Sequence, residues 1–513
     1  MTGSHAVSDQ RSAVQSSAEV NERAAARSER RMLIAGRLVE SSSGETFDNV
    51  SPATGKSLGA TAAGTAADMD AAIAGARHAF DDTEWSTDVA LRRRCLMQLQ
   101  EALEGEREEL RDELVAEAGA PVMTTHIAQL DWSLDDALCS ALELLDTFPW
   151  SRDLQGGGVG GDGHHRVVWK EAVGVVGAIV PWNFPFEIAI NKLAQALATG
   201  NTVVLKPDPN TPWTSTRLGR LIAENTDIPA GVVNVVPTPD NAVAELMVTD
   251  PRVDLVSFTG STAVGKLIAG RAADTLKRVF LELGGKSAAV MLDDADIDAV
   301  IPNMAAVCMH AGQGCGITTR LLVPRPRLDD ALTRLTAMFE MITPADPALP
   351  DTLLGPVINP RQQQRILGYI DRARAAGAEI TVGGTAPRHL PYVIAGGNFV
   401  LPTVVAGVDN SAEIAREEVF GPVLVVLPYD DESDALRIAN DSDYGLSGAV
   451  FSASRARGLA FARKVRTGSM SVNGGIYYGG DAPFGGYKAS GLGRQNGLEG
   501  FEQYLETKVV AYT

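Results

Sequence analysis

Between residues 174 and 260 the chain repeats one pattern. A run of four to six residues rich in valine and isoleucine is followed by a helix-length segment, and then by the next run: VVGAIV, TVVLK, VVNVV, VDLVSF. Strands buried on both faces read as such continuous apolar runs, and a parallel neighbour needs a crossover long enough for a helix. The simplest fold for this repetition is a parallel sheet covered by helices on both sides. SAAVML, RLLVP, VLVVLPY and SGAVF form a second series of the same kind. The chain is therefore expected to be α/β, with two sheet domains.

The flanking segments are simpler. Ile73, Ala76 and Phe80 mark one helical face. Leu96, Leu99, Leu103, Leu110 and Leu114 mark a longer one that stops near Gly119. GGGVGGDGHH has no apolar period and reads as a solvated hairpin tip rather than a metal site on His164 and His165; RVVWKEAV beside it reads as a strand. The first thirty residues lack the apolar core of a signal peptide and read as a flexible extension. No apolar run reaches the ~20 residues of a membrane span. A net charge of −19 repels nucleic acid and anionic lipid. The four cysteines, Cys95, Cys139, Cys308 and Cys315, show no paired spacing, which argues against a disulfide framework and for a reducing cytoplasm.

Four stretches carry candidate chemistry, and each also has a plain reading. In AGQGCGITTR, Cys315 stands between Gly314 and Gly316, so no neighbouring side chain covers it. It is either a buried structural thiol or a nucleophile that must be approached. VDLVSFTGSTAVGK is a strand, a turn at Gly260 and a helix start at Ser261. Its free N–H groups could hold a phosphate or simply cap a helix. In PWNFP, Asn183 offers an amide to a developing oxyanion or makes an Asx turn. In FLELGGK, Glu282 is either a desolvated general base or a salt-bridged edge residue.

Taken together these stretches stop looking independent. PWNFP, LKP followed by TP, FTGST, LELGGK, GQ-plus-Cys, EEVFGP and PFGGYKASGLGR occur in one order over some three hundred residues. The series resembles the aldehyde dehydrogenase superfamily, of the NAD(P)-dependent, hydrolytic type, from about Leu33 to the C-terminus. The resemblance implies Cys315 as nucleophile, Asn183 as oxyanion donor together with the Cys315 backbone N–H, and Glu282 as the base that activates water. It implies Lys206 on the adenosine ribose, Gly260 and Ser261 at the pyrophosphate with Trp182 beside them, and Glu418 and Phe420 at the nicotinamide end. Lys192 matches a lysine near the active site. The implied reaction oxidises an aldehyde to the carboxylic acid through a thiohemiacetal and a thioester on Cys315. The alternatives are a coenzyme A-acylating member or an inactive structural one.

The resemblance also implies two Rossmann-type parallel-sheet domains plus a small oligomerisation β-hairpin and strand. The expected division is a 1–31 extension, a cofactor domain of 32–150 and 172–282, a catalytic domain of 283–485, and oligomerisation segments 151–171 and 486–513. A homodimer or homotetramer follows, with no nucleic-acid, membrane or metal partner. Three departures stand out. Pro209 occupies the place where the family often has an acid three residues after the lysine, so NAD is expected and NADP tolerated, with Arg217 and Arg220 on the following helix as the nearby basic residues. His310 stands where an asparagine is common, and is expected to be a packed, neutral ring. Asn191 stands where an aromatic residue often lines the substrate tunnel, one turn from Glu187, leaving Tyr478 and Phe484 as aromatic wall.

Overall fold

The structure, a computed structural model, describes residues 16–155, 159 and 164–513. Two large sheets organise it. In the first, the order across the sheet is Gly491–Leu492, Arg278–Glu282, Leu255–Thr259, Val175–Ile179, Thr202–Lys206, Val233–Val235, Met32–Ile34, Arg37–Val39. The five central strands are parallel; the short strands at both margins run antiparallel. The second sheet orders Glu379–Val382, Thr403–Ala406, Val423–Tyr429, Thr318–Pro324, Ser287–Met291, Gly448–Phe451 and Ser471–Val472, all parallel except the first.

The valine runs earn their burial by alternation. Val203 and Leu205 join one apolar cluster with Val176 and Ala178, while Val204 and Val175 point into a separate cluster on the opposite face. The second sheet does the same, with Leu322 and Val425 on one side and Leu321, Val323 and Val426 on the other. Each strand is thus covered twice, as its continuous apolar sequence requires.

Three expectations change. The stretch before Leu33 is not wholly an extension: residues 1–15 lie outside the described residues, but Ser17–Arg27 is a helix, opened by a Ser16–Glu19 capping box. It docks on the helix Arg107–Ala118 through an Arg23–Asp112 ion pair of 2.7 Å, and its Ser17 N–H donates to Asp346 at 3.0 Å. Only Ser17, Val20 and Ala24 are buried, too few for a periodic signal. The leucine-marked helix is two, Val89–Gly105 and Arg107–Ala118, broken at Glu106 after a glycine; Gly119 ends the second in the left-handed region (φ 63°). Most of GGGVGGDGHH lies outside the described residues; His165 opens the strand His165–Ala172 and its ring stacks on Tyr512 at 5.3 Å.

Finally, the segment 486–513 is not all one device. Gly491–Leu492 completes the first sheet, whereas Leu505–Tyr512 pairs antiparallel with His165–Ala172, which in turn pairs with Ser151–Asp153. Among the described residues no helix is long and apolar enough to cross a membrane.

Candidate active site

The chain order of the five central strands of the first sheet reverses between Val175–Ile179 and Leu255–Thr259. Open α/β sheets bind ligands at such a switch point, outside the carboxyl ends of the strands. Trp182 and Asn183 follow one of these ends, and Gly260 and Ser261 follow the other. Lys206 and Glu282 close two more strands. The amino ends of the second sheet face them: Cys315 precedes Thr318–Pro324, and Glu418 and Phe420 precede Val423–Tyr429. An Asn183 amide N–H crosses the gap to the Gln313 carbonyl at 2.8 Å, and the Gly285 N–H, on the connection between the two sheets, donates to Glu418 at 2.9 Å.

Between the two sheets lies a cavity of about 320 Å³. Cys315, Glu282, Asn183, Glu187, Tyr478 and Phe484 all line it, together with His310 and apolar side chains such as Ile188, Ile317 and Ile476. Asn191 stands just behind the wall: its amide donates to Glu187 at 2.5 Å and to the Tyr478 hydroxyl at 3.4 Å, and that hydroxyl also donates to Glu187. Tyr478 packs edge-on against Phe484 at 5.1 Å and tilts against Trp132 at 4.8 Å.

The loop that presents Cys315 is held by its backbone and by one amide. His310, Ala311 and Gly312 occupy the left-handed region in succession, at φ 47°, 53° and 72°. A Cβ on Gly312 would meet the Gly421 carbonyl oxygen at 2.2 Å, so glycine is required there. Buried Gln313 then spans the turn: its side chain donates to the His310 and Pro356 carbonyls at 3.0 and 3.2 Å and accepts the Ile358 N–H at 2.9 Å. Cys315 is half-buried rather than uncovered. The glycine before it makes room for Ile317, whose Cδ1 would lie 2.8 Å from an added Cβ.

Burial dominates the electrostatics. Glu282, 3% exposed, has its carboxyl pushed up to about 8 by desolvation, against the pull of Lys192 and Arg494. Lys192, fully enclosed, is pushed down to about 7 by the same effect; its ammonium donates to Ser257 at 2.9 Å and lies over the Phe280 ring. Glu187 is raised to about 7 by burial, less than it would be without the Tyr478 and Asn191 hydrogen bonds. The Cys315 thiol is raised strongly, by burial first and then by the negative charges of Glu282, Glu418 and Glu187. Burial lowers His310 to about 4, so its ring, set edge-on to Phe184, is neutral.

The residues expected to hold a dinucleotide lie outside the cavity, along the same strand ends. Ser261 caps the helix Thr262–Ala272, accepting the Val264 N–H, and is itself exposed. Gly265 lets that helix close on the sheet, since a Cβ there would sit 2.5 Å from Leu283. The Trp182 and Phe420 rings meet edge to face at 5.4 Å. Lys206 is buried, with its ammonium disfavoured by desolvation, and donates to the Pro207 carbonyl at 2.9 Å. The buried cation, the exposed helix N-terminus and the Glu418 carboxylate fit a ligand with a ribose at each end and a pyrophosphate between. Arg217 and Arg220 do not extend this set. Arg217 is buried against Glu106 and Glu113, and Arg220 pairs with Glu106 and Glu224. Asp208, not singled out by the sequence reading, is the acid beside Lys206; it accepts the Asn210 N–H at 2.9 Å.

The "Aldehyde dehydrogenase family" profile matches residues 38–510. The chain belongs to the aldehyde dehydrogenase family. It is 39% identical to a 3-succinoylsemialdehyde-pyridine dehydrogenase of Pseudomonas sp over 484 residues, 94% of this chain and 98% of that one. A Mycobacterium tuberculosis aldehyde dehydrogenase solved with NAD+ superposes with a TM-score of 0.88 at 38% identity, covering 94% of this chain and 97% of that one. A mutant of the P. syringae indole-3-acetaldehyde dehydrogenase AldA, solved with NAD+ and IAA, gives 0.91 at 36% identity, covering 97% and 100%. Against this aldehyde dehydrogenase background, sequence reasoning missed Gln313, Trp132 and the Ser257–Tyr504 hydroxyl pair (3.1 Å) beneath Lys192. Gln313 was visible only as a letter in GQ-plus-Cys. Trp132 lies between two π-helical turns, Thr125–Gln129 and Ser133–Ala137, where the helical period fails.

Proposed function

We propose that the protein oxidises an aldehyde to its carboxylic acid with NAD+. The observation that carries this is the convergence of Cys315, Glu282 and Asn183 on one largely apolar cavity at the switch point. The Cys315 thiol gives up its proton to solvent as its sulfur adds to the aldehyde carbon. One Asn183 amide N–H is held by the Gln313 carbonyl, which fixes the amide plane; the other N–H and the Cys315 backbone N–H are the donors for the resulting oxyanion. When bound, the dinucleotide supplies the hydride acceptor that turns the thiohemiacetal into a thioester. Lys206 and Asp208, the Ser261 helix end, Trp182, Glu418 and Phe420 would hold it. Glu282 then takes a proton from water as the water oxygen attacks the thioester carbon; the carbon–sulfur bond breaks and the thiol is restored.

A buried carboxyl that ionises near neutrality and lines the cavity favours water over a coenzyme A thiol as the acceptor. The engaged state of Arg217 and Arg220 favours NAD over NADP. The same reading assigns the first sheet to the cofactor and the second to the nucleophile, and has the protein act in the cytoplasm, where its four unpaired cysteines are stable. The test is cofactor reduction with a panel of aliphatic, aromatic and charged aldehydes, with NAD+ or NADP+, with and without coenzyme A. Production of acyl-CoA in place of free acid, or no reduction with any aldehyde, would overturn it.

A further inference from the structure

We propose that the cavity selects aldehydes whose far end carries a protonated amine, bound by the Glu187 carboxylate against the aromatic wall of Tyr478 and Phe484. This inference rests on the aldehyde-oxidising reading above and names the substrate class of that same site.

Glu187 has no part in the chemistry derived above, yet it is a carboxyl, 4% exposed, in the wall of a largely apolar chamber. Its hydrogen bonding is lopsided. Oε1 takes both available donors, the Tyr478 hydroxyl and the Asn191 amide, which fix the group's orientation. Oε2 accepts no hydrogen bond and is not among the polar atoms sealed off by protein. A carboxylate oxygen left facing hydrocarbon is costly, and a neutral alkyl or aryl chain filling the cavity would leave it so. An N–H donor at the end of the substrate relieves that cost.

Charge selects among the donors. The acidic groups nearest the chamber are Glu187, Glu282 and Glu418, the three whose negative charge raises the Cys315 thiol. The cations near them are engaged elsewhere: Lys192 is fully enclosed and donates to Ser257, and Arg494 donates to the Gly486 and Gly493 carbonyls. The chamber therefore favours a positive guest and repels a carboxylate. Its aromatic wall, Tyr478 edge-on to Phe484 and backed by Trp132, adds π faces that attract a cation. The oriented carboxylate, its free oxygen and the aromatic wall call for one chemistry, an ammonium that still bears hydrogen.

The test uses pairs of equal shape. Protonated 3-(dimethylamino)propanal and 4-methylpentanal share one heavy-atom skeleton, as do 5-(dimethylamino)pentanal and 6-methylheptanal. The anion 4-oxobutanoate and the N–H-free 3-(trimethylammonio)propanal complete the set. Cofactor reduction is measured at pH 8, and kcat/KM ratios are taken within each variant so that losses common to both substrates cancel. The expected result is a cation-to-isostere ratio of about 10 or more in at least one pair, the quaternary ion intermediate and the carboxylate poorest. Glu187→Gln should bring that ratio down by about 10-fold, the worth of one charge-assisted bond. Should that variant not fold, Glu187→Asp, which withdraws the carboxylate by one methylene, must lower the ratio in the same direction. A ratio at or below one in both pairs, or a ratio untouched by the substitution, overturns the proposal. No oxidation of 4-methylpentanal or of any other member of the set would overturn the reaction reading itself, and this inference with it.

Discussion

Cys315 is a thiol whose ionisation is opposed first by burial and then by the surrounding acids, so its reactivity depends on being placed against the carbonyl rather than on resting as a thiolate. Cys315→Ala is expected to abolish aldehyde oxidation while NAD+ binding, measured by calorimetry, stays within about twofold, since no cofactor-holding residue is touched. Oxidation near the wild-type rate would remove the nucleophile assignment. Glu282 gives a pH signature. A general base works in its ionised form, and burial raises this carboxyl to about 8, so thioester hydrolysis should climb with pH and level off above about 8. In Glu282→Gln a burst of reduced cofactor should precede a slow steady state, and the climb should vanish. Equal slowing of the first turnover would assign Glu282 the thiol's proton as well. Pro209→Glu should raise the NAD over NADP ratio of kcat/KM by ~10-fold, one charge-assisted bond of ~1.5 kcal/mol to a ribose hydroxyl. An unchanged ratio would mean that the ribose lies away from Lys206.

At the scale of elements, legibility followed burial. VVGAIV and its kin could be read because a strand covered on both faces admits little but Val, Ile and Ala. Leu96 to Leu114 could be read as helical, but not the break at Glu106, whose carboxylate is spent on Arg217 and Arg220 from a helix a hundred residues away. The helix Ser17–Arg27 was hidden because its hold is polar, through Arg23 and Ser17, rather than periodic and apolar. Cys315, Glu282 and Asn183 could be located by their short motifs; the left-handed run His310–Ala311–Gly312 could not, because two of its three residues are not glycine. That run makes the loop depend on Gln313. Gln313→Ala strands the Pro356 carbonyl and the Ile358 N–H, at about 1–3 kcal/mol each, and leaves the His310 carbonyl with the residue-313 backbone N–H alone. It should lower the melting temperature by several degrees and cut kcat more than it changes the Kd for NAD+. A loss of stability with kcat intact would show that Cys315 is positioned without it.

At the scale of the molecule, the strand Leu505–Tyr512 forms one edge of a three-stranded sheet and exposes Val509 and Tyr512. An open edge with apolar side chains calls for a partner strand, and a second copy of this chain related by a two-fold axis is the expected one. Light scattering on a size-exclusion column is expected to show the full chain as a dimer or tetramer and a chain ending at Tyr504 as a monomer. Equal masses for the two would place the interface elsewhere.

The short strand Gly491–Leu492 has a consequence for how the enzyme comes into being. It pairs with Leu281 and Glu282, so the margin of the strand that carries Glu282 is covered by residues made more than two hundred positions later. Tyr504, later still, reaches the Ser257 hydroxyl that holds Lys192. A chain emerging from the ribosome carries Cys315 well before it can cover Glu282, and a chain cut short before Gly491 would lack the margin strand of the first sheet that does so.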